Sequence, residues 1–317
     1  MVNLVTVALS LISWTMKMTG MKPYTVEIEP GTVMKFWVPS ETISTPKPKL
    51  KHISKPTKPV VVLLHGFAGD GLVTWGFQIN TLAKKYAVYV PDLIFFGGST
   101  TDKPNRSPTF QAECLVVGLK KLGVEKCVLV GFSYGGMIAF KMAELYGEFV
   151  QAVVVTGAVL AIQESLISRA VEDNGFSSCS EALLPSSTEG LNALLSLGVY
   201  RNIWFPNCML NDFLKVMFSN RKERSELLED LVISYKDINI PKFSQRIHLL
   251  WGDKDKIFKS EVAENIKETL GSNATFEVIK KAGHLAHLER PCIYNRCLKK
   301  FLSSITLHEN NLSNSHL

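Results

Sequence analysis

A serine between two glycines is the residue of this chain best suited to covalent chemistry. Ser133 stands in the pentapeptide Gly-Phe-Ser-Tyr-Gly at 131–135, directly after the apolar run 127–130. A strand that ends in this pattern and turns at once into a helix is a nucleophile elbow, whose strained serine presents Oγ at the sheet edge. Glycines are needed on either side because strand and helix approach closely. The pattern also occurs in turns without chemistry, so attack by Ser133 on a carbonyl needs further parts.

A general base for this serine is expected in the loop after the last predicted strand. His284 lies there, in the segment 282–285, so it should reach the same sheet edge as Ser133. His287, three residues further on at a presumed helix start, is the competing candidate. Of the remaining histidines, His248 is assigned to the core, and His52, His308 and His316 to surface or tail segments.

An acid that orients the base should follow a late strand. The segment 251–255 offers Asp253 and Asp255. Asp253 stands at the strand end, where a turn or cap role is usual. Asp255 is two residues further out and better placed to reach His284, so we predict Asp255 as the acid. The strand that ends near Val155 is followed by no acid.

Two backbone amides are expected to bind the oxyanion that forms during attack. One is the Tyr134 amide, at the start of the helix after the serine. The other is the Phe67 amide, in the loop that follows the strand 60–64. His65 is expected to brace that loop by hydrogen bonding rather than to act as a base. The predicted catalytic residues occur in the order Ser133, Asp255, His284.

These residues need a parallel sheet to bring them to one edge. Apolar, β-branched runs predict buried strands at 60–64, 87–90, 127–130, 152–155, 247–251 and 275–279. Helical patterns alternate with them at 72–85, 110–122, 137–146, 261–270 and 293–305. The alternation predicts an α/β fold with a mostly parallel, doubly wound sheet. Segments 25–29 and 33–38, around Pro30-Gly31, predict an antiparallel hairpin at one edge.

The alternation stops once, between about Leu160 and Phe243, where helical patterns occur without a strand run. We therefore predict a helical cap at 160–243, inserted into a core formed by 25–159 and 244–305. Residues 1–24 form a separate apolar segment, and 306–317 are expected to be a flexible tail. The residues of the cap that face the site are not predictable from the sequence.

Composition restricts the partners of the protein. The chain has 317 residues, 46% hydrophobic residues and a net charge of +6. The sequence contains no basic patch interleaved with aromatic residues, so nothing in it indicates binding to nucleic acid. The six cysteines form no CxxC pair and have no zinc spacing, which predicts buried free thiols in a reducing compartment. Lysines interleaved with prolines predict a solvated loop, with contact to an anionic membrane as the alternative: Lys47, Lys49, Lys51, Lys55 and Lys58.

The N-terminal segment has two interpretations. Residues 4–14 are apolar except Thr6, Ser10 and Ser13, and no Lys or Arg precedes them, unlike in a secretory signal. The run is too short to span a bilayer. We expect a helix that packs on the domain or lies at a membrane interface, with a signal-anchor as the lesser alternative. The predicted location is cytoplasmic, with membrane association through this segment as the alternative.

The motifs together resemble the α/β-hydrolase superfamily over roughly residues 25 to 305. The matching segments are 65–67, 91–93 with 97–99, 131–136, 251–255 and 283–284 with 289–291. Residues 21–39 and 95–102 are similar to a plant group that resembles monoacylglycerol-lipase-like and meta-cleavage-product hydrolases. The resemblance implies a helical cap, no cofactor, and a triad of Ser133, Asp255 and His284. Epoxide hydrolases and dehalogenases share the fold but would need Asp at position 133.

The resemblance also bears on the substrate. The loop 65–67 is the short form and not the triple-glycine form of plant carboxylesterases, which implies esters of primary or secondary alcohols. The leading hypothesis is a serine hydrolase that cleaves a small lipophilic carboxylic ester, such as a monoacylglycerol. The alternatives are a C–C-bond hydrolase or lyase with the same triad, and a ligand receptor of low turnover on the same scaffold. Substrate identity and oligomeric state are not predictable.

Overall fold

The structure, a computed structural model, describes residues 3–44, 52–160, 162–163, 175–233 and 241–314. Its strands are β1 Met21–Glu29, β2 Thr32–Pro39, β3 Ile43–Ser44, β4 His52–Ile53, β5 Val60–Leu64, β6 Ala87–Pro91, β7 Thr100–Thr101, β8 Cys127–Phe132, β9 Val150–Thr156, β10 Ile162–Gln163, β11 Val232–Ile233, β12 Arg246–Gly252 and β13 Ala274–Ile279. The main sheet runs in the order β1-β2-β6-β5-β8-β9-β12-β13, with β7 paired to β2. All six buried strands predicted from the sequence are present.

The pairing directions confirm a mostly parallel sheet. β1 and β2 form the predicted antiparallel hairpin at one edge, and β2 is also antiparallel to β6. From β6 to β13 every neighbouring pair is parallel. The carboxyl ends of these strands therefore meet at one edge, where loops carry the candidate site residues.

Helices cover both faces of the sheet. They are α1 Leu4–Met18, α2 Gly71–Leu82, α3 Pro108–Lys121, α4 Tyr134–Leu145, α5 Cys179–Leu183, α6 Thr188–Gly198, α7 Asn207–Met217, α8 Arg221–Leu231, α9 Ser260–Leu270, α10 Ala286–Glu289 and α11 Pro291–Asn314. β5 shows the layering: Val60, Val62 and Leu64 pack with α3 and α4, whereas Val61 and Leu63 pack with α2 and α11. Burial on both faces explains the unbroken aliphatic run of this strand.

The insertion between β9 and β12 contains α5 to α8. It also contains one feature that the sequence did not predict, the short parallel pair of β10 with β11. The expectation of an insertion without strands is therefore wrong at these two positions. The residues 161, 164–174 and 234–240 of this segment lie outside the described residues.

The C-terminal end of the chain differs from the predicted structure, whereas the N-terminal end agrees with it. The backbone of α11 continues to Asn314, so the unstructured tail expected from Thr306 is wrong over most of its length. At the other end, α1 confirms the predicted helix and packs against α2 and α7. Within the described ranges, no helix combines the length and the hydrophobicity that crossing a membrane would require.

The cysteines and the lysine-rich loop depart in part from expectation. All six cysteines are free, and Cys114, Cys127 and Cys297 are buried. Cys208 and Cys292 are exposed, so the prediction of buried thiols is wrong for these two. Lys47, Lys49 and Lys51 lie outside the described residues, and Lys55 forms a surface ion pair with Glu125.

Candidate active site

The turn between β8 and α4 holds Ser133 in a strained backbone conformation. Its φ is 50° and its ψ is −120°, a region that non-glycine residues rarely adopt. Both predicted glycines are required, because a Cβ at Gly131 would lie 2.5 Å from the Gly135 carbonyl oxygen. A Cβ at Gly135 would lie 2.4 Å from the Leu64 carbonyl oxygen. The elbow geometry expected from the pentapeptide is therefore present, with Ser133 at the start of α4.

The structure brings Asp255 and His284 into direct contact. Asp255 Oδ2 lies 2.8 Å from His284 Nδ1, and both side chains are buried. The other carboxylate oxygen, Oδ1, accepts the amides of Ile257 and Phe258, each at 2.9 Å. The carboxylate is thus fixed by its own loop while it orients the imidazole. This bond leaves Nε2 as the nitrogen of His284 that is free to exchange a proton.

A glycine beyond the end of β9 makes room for this pair. Gly157 has a φ of +55°. A Cβ there would lie 2.6 Å from His284 Cε1 and 3.3 Å from Asp255 Oδ2. The segment after β9, which contains no acid, therefore contributes Gly157, whose lack of a side chain leaves space for the imidazole of His284.

The two competing residues have other roles. Asp253 Oδ1 accepts the Ala282 amide at 3.3 Å, so this side chain connects its own loop to the loop after β13 instead of capping the turn at its strand end. His287 is fully buried, and its ring packs 4.4 Å from Phe132 and 5.0 Å from Trp75 between centroids. Neither nitrogen of His287 has a hydrogen-bond partner among the described residues. Burial lowers the pKa of His287 to about 3, so it stays neutral at physiological pH.

The two candidate oxyanion donors lie beside the serine. Phe67 and Tyr134 both line the same cavity as Ser133 and His284. Within the described part of the chain, neither backbone amide donates to another group, so both N–H groups are available. The described residues also show no hydrogen bond between Ser133 and His284, although both face that cavity.

His65 braces the loop that carries the Phe67 amide, as predicted. The Leu93 amide donates to His65 Nε2 at 2.9 Å, so Nδ1 carries the proton and donates to the Gly66 carbonyl at 2.7 Å. Burial lowers the pKa of His65 to about 4, which keeps this tautomer neutral. The His65 ring therefore holds the loop through hydrogen bonds at both of its nitrogens.

An arginine from the insertion, which no sequence pattern indicated, contacts residues next to the same loop. Arg224 on α8 is buried, and its guanidinium lies 4.1 Å from the centroid of the Phe96 ring. Its Nε donates to the Phe95 carbonyl at 3.1 Å. Phe96 in turn packs against the rings of Phe67 and Tyr134, with centroids 5.3 and 6.0 Å away. Arg224 is thus connected, through Phe96, to the two candidate oxyanion donors.

Glu289 fixes the loop that carries the candidate base. One carboxylate oxygen accepts the Gly283 amide at 2.6 Å, next to His284. The other accepts the Tyr200 amide at 2.7 Å, from the insertion. Glu289 lies in one of the segments that carry the family resemblance, so its motif was visible, but its role as a brace was not.

A cavity of about 360 Å³ joins these residues to the insertion. Its polar lining residues are Ser133 and His284 together with Thr74, Ser196, His287 and Glu289. Its roof consists of apolar side chains of the insertion: Leu183, Leu191, Leu194, Leu195, Val199, Ile203, Phe205, Phe213, Leu228 and Leu231. No Lys or Arg is among the described residues that line it. These contacts identify the cap residues that face the site.

Comparison with known proteins places the fold among hydrolases. Residues 59–176 match the alpha/beta hydrolase fold family. The chain is 27% identical over 285 residues to human epoxide hydrolase 4, covering 78% of this chain and 74% of that one. It is 24% identical over 243 residues to lipase 3 of a Moraxella species, covering 72% of each chain.

A solved structure agrees with the sequence relatives. The 2-hydroxy-6-oxo-6-phenylhexa-2,4-dienoate hydrolase from a Rhodococcus species superposes with a TM-score of 0.71 at 20% identity, covering 89% of this chain and 99% of that one. The protein therefore has the α/β-hydrolase fold. The α/β-hydrolase superfamily is the class that these comparisons support, with sequence relatives named as epoxide hydrolases and lipases.

Proposed function

We propose that this protein is a serine esterase that cleaves a lipophilic carboxylic ester through an acyl-enzyme on Ser133. The observation that carries the proposal is the buried Asp255–His284 bond of 2.8 Å at the cavity where the strained Ser133 is presented. The plant grouping expected from the motifs and the monoacylglycerol substrate stay predictions.

The reaction follows from the positions of five groups. His284 Nε2 takes the proton of Ser133 Oγ as this oxygen attacks the ester carbonyl. The carbonyl oxygen becomes an oxyanion that accepts the amides of Phe67 and Tyr134. The imidazolium, stabilised by Asp255, then protonates the departing alcohol, leaving an acyl-serine. Water, deprotonated by His284, attacks the acyl carbonyl, and collapse releases the carboxylic acid and restores the Ser133 hydroxyl.

The cavity supports an apolar acyl or alcohol group. Its volume lies at the lower end of the range of about 300–1,000 Å³ typical of small-molecule sites. A charged substrate group would lose its hydration there without a cation among the described lining residues. A dicarboxylate, such as the substrate in the name of the Pseudomonas 2-hydroxy-6-oxononadienedioate hydrolase that is 26% identical over 270 residues, fits this lining poorly. The lining thus favours esters over C–C cleavage of anionic diketones.

The serine also argues against epoxide hydrolysis, despite the similarity to epoxide hydrolases. A carboxylate that opens an epoxide forms an ester, which water can then cleave. A serine that opened an epoxide would form an ether, which water under a histidine base does not cleave, and the enzyme would stop after one turnover. Ser133 therefore suits acyl transfer, in which the covalent intermediate is itself hydrolysable.

A fluorophosphonate probe tests the proposal. It should label the wild type and Ser260→Ala, a serine at the surface helix α9, but not Ser133→Ala. The same samples are then assayed with p-nitrophenyl esters of increasing acyl length, on which Ser133→Ala should lose on the order of 10⁶-fold in kcat. Equal labelling of Ser133→Ala would refute the proposal. Labelling of the wild type without turnover of any ester, together with a ligand-dependent rise in Tm, would favour the receptor alternative.

A further inference from the structure

The N-terminal helix α1 is apolar on two opposite faces. Its inner face is explained by folding: Val5 and Met16 are buried, and Leu9 and Ile12 pack against the core. Its outer face carries a second apolar stripe, Leu4, Val7, Leu11, Trp14 and Met18, with exposed fractions of 43–70%. The spacing of three and four residues aligns these side chains along about 21 Å of helix. Packing within the domain does not account for this outer stripe.

The outer stripe belongs to a larger exposed apolar surface. Phe77 on α2 and the pair Ile203 and Trp204 before α7 are also exposed, Trp204 by 82%. Eight of the eleven exposed large apolar side chains among the described residues therefore lie on α1, on its packing partner α2, or directly before its other packing partner α7. We call this set the outer apolar surface. Singly exposed apolar residues are ordinary, but eight concentrated on elements that pack together indicate an interaction site.

Contacts connect this surface to the cavity mouth. The Leu4 amide donates to Asp212 of α7 at 2.8 Å, which ties the start of α1 to the helix that follows Trp204. Ile203 and Phe205, on either side of Trp204, line the cavity. On the other side, the Ile12 side chain lies 3.7 Å from the Cβ position of Gly76 on α2, whose first turn also lines the cavity.

We propose that the outer apolar surface docks on a phospholipid bilayer, with α1 parallel to the membrane plane and Trp204 inserted at the interface. The only charged residue of α1 is Lys17, and two exposed basic residues occur on the neighbouring segment, Arg201 three residues before Trp204 and Lys215 on α7. The acidic Asp212 of α7 already accepts the Leu4 amide, so the remaining charge suits anionic headgroups. A second copy or another protein seated here would cover Ile203, which is exposed and lines the cavity. A bilayer would instead deliver a lipophilic molecule to the cavity, an advantage that rests on the proposed esterase function.

The test is co-sedimentation with vesicles of phosphatidylcholine and phosphatidylglycerol. Of the five tryptophans, Trp37, Trp75 and Trp251 are buried, so an emission change reports Trp14 and Trp204. The wild type should bind, and its emission should shift to shorter wavelength and be quenched by brominated lipid. The variant Leu11→Ser/Trp14→Ser/Trp204→Ser should bind at least about tenfold more weakly. The control Val117→Ser/Leu145→Ser, at exposed positions on α3 and α4, should bind as the wild type does.

Folding and oligomerisation are checked in parallel. The triple variant should keep the wild-type Tm and its rate on a water-soluble short ester. Vesicle binding is also measured with Ser133→Ala, so a failure of esterase activity leaves this test intact. The proposal is overturned if the wild type stays in the supernatant, if the triple variant binds equally well, or if sedimentation velocity shows a wild-type dimer that the triple substitution dissociates and that does not bind vesicles.

Discussion

Gly157 offers a test of how closely activity depends on the position of His284. Substitution by alanine places a Cβ 2.6 Å from Cε1 and 2.7 Å from Nδ1 of the imidazole. Ordinary contacts between such atoms are about 3.5 Å or more, so the ring must move by roughly 0.9 Å. A movement of this size disrupts the 2.8 Å bond to Asp255 and the path to Ser133. Misplacement by about 1 Å can lower kcat by about 100-fold.

The backbone contribution can be separated from the clash. Alanine at a positive φ in a sparsely populated region costs on the order of 1–3 kcal/mol in stability. Gly271, with a φ of +65°, has no atom within 4 Å of its Cβ position, so Gly271→Ala carries the backbone cost without the contact. Both variants should lose a few degrees of Tm, whereas only Gly157→Ala should lose kcat on a soluble p-nitrophenyl ester. If the two variants have equal kcat, the inferred role of the imidazole position is wrong.

Three further outcomes are expected. His284→Phe should abolish ester turnover, whereas His287→Phe should retain it and raise Tm, because it removes two buried nitrogens without partners; the opposite result would make His287 the base. Acidification should destabilise the fold, because burial lowers the pKa of His65 and of His248 from 6.5 to about 4 and that of His287 to about 3. The unfolded chain therefore binds these protons first, so this contribution to stability is present above pH 6.5 and is lost below it, by up to about 4 kcal/mol per pH unit for the three groups. Protonation of Asp70 and Asp92, whose pKa values burial raises, offsets part of this loss. Urea unfolding between pH 7.5 and 5 measures the slope, which His287→Phe should lower by about a third; an unchanged slope would contradict the assignment. Glu289→Gln should lower kcat more than it raises KM, because one of the two amides it holds loses its acceptor, and equal effects on both constants would argue against a positioning role.

The sequence predicted the sheet well because its buried strands are unbroken aliphatic runs. Val60 to Leu64 must be covered on both faces, and only a parallel sheet with helices on each side does this. The elbow was equally predictable, since a Cβ at either Gly131 or Gly135 would collide with a backbone carbonyl oxygen. Helix ends were less predictable: the polar residues after Thr306 indicated a tail, yet α11 continues through them.

Within the site, the sequence predicted the residues whose place follows from the end of a strand. It did not predict the contacts that form between distant segments of the chain. Asp255 and His284 each follow a strand end, so their meeting at one edge could be expected. Arg224 reaches Phe95 and Phe96 only through the fold of the insertion. Likewise Gly157 lies under His284 because β9 and β12 are neighbours, which the residues around Gly157 do not reveal.

The central claim, an acyl-enzyme on Ser133, is tested most directly by trapping it. The protein is mixed with a slowly hydrolysed ester, quenched in acid during the first turnover, digested and analysed by mass spectrometry. The account predicts that the peptide containing Ser133 gains the mass of the acyl group, and that the adduct is absent from Ser133→Ala. An acyl group on any other residue, or ester turnover by Ser133→Ala at the wild-type rate, would contradict it.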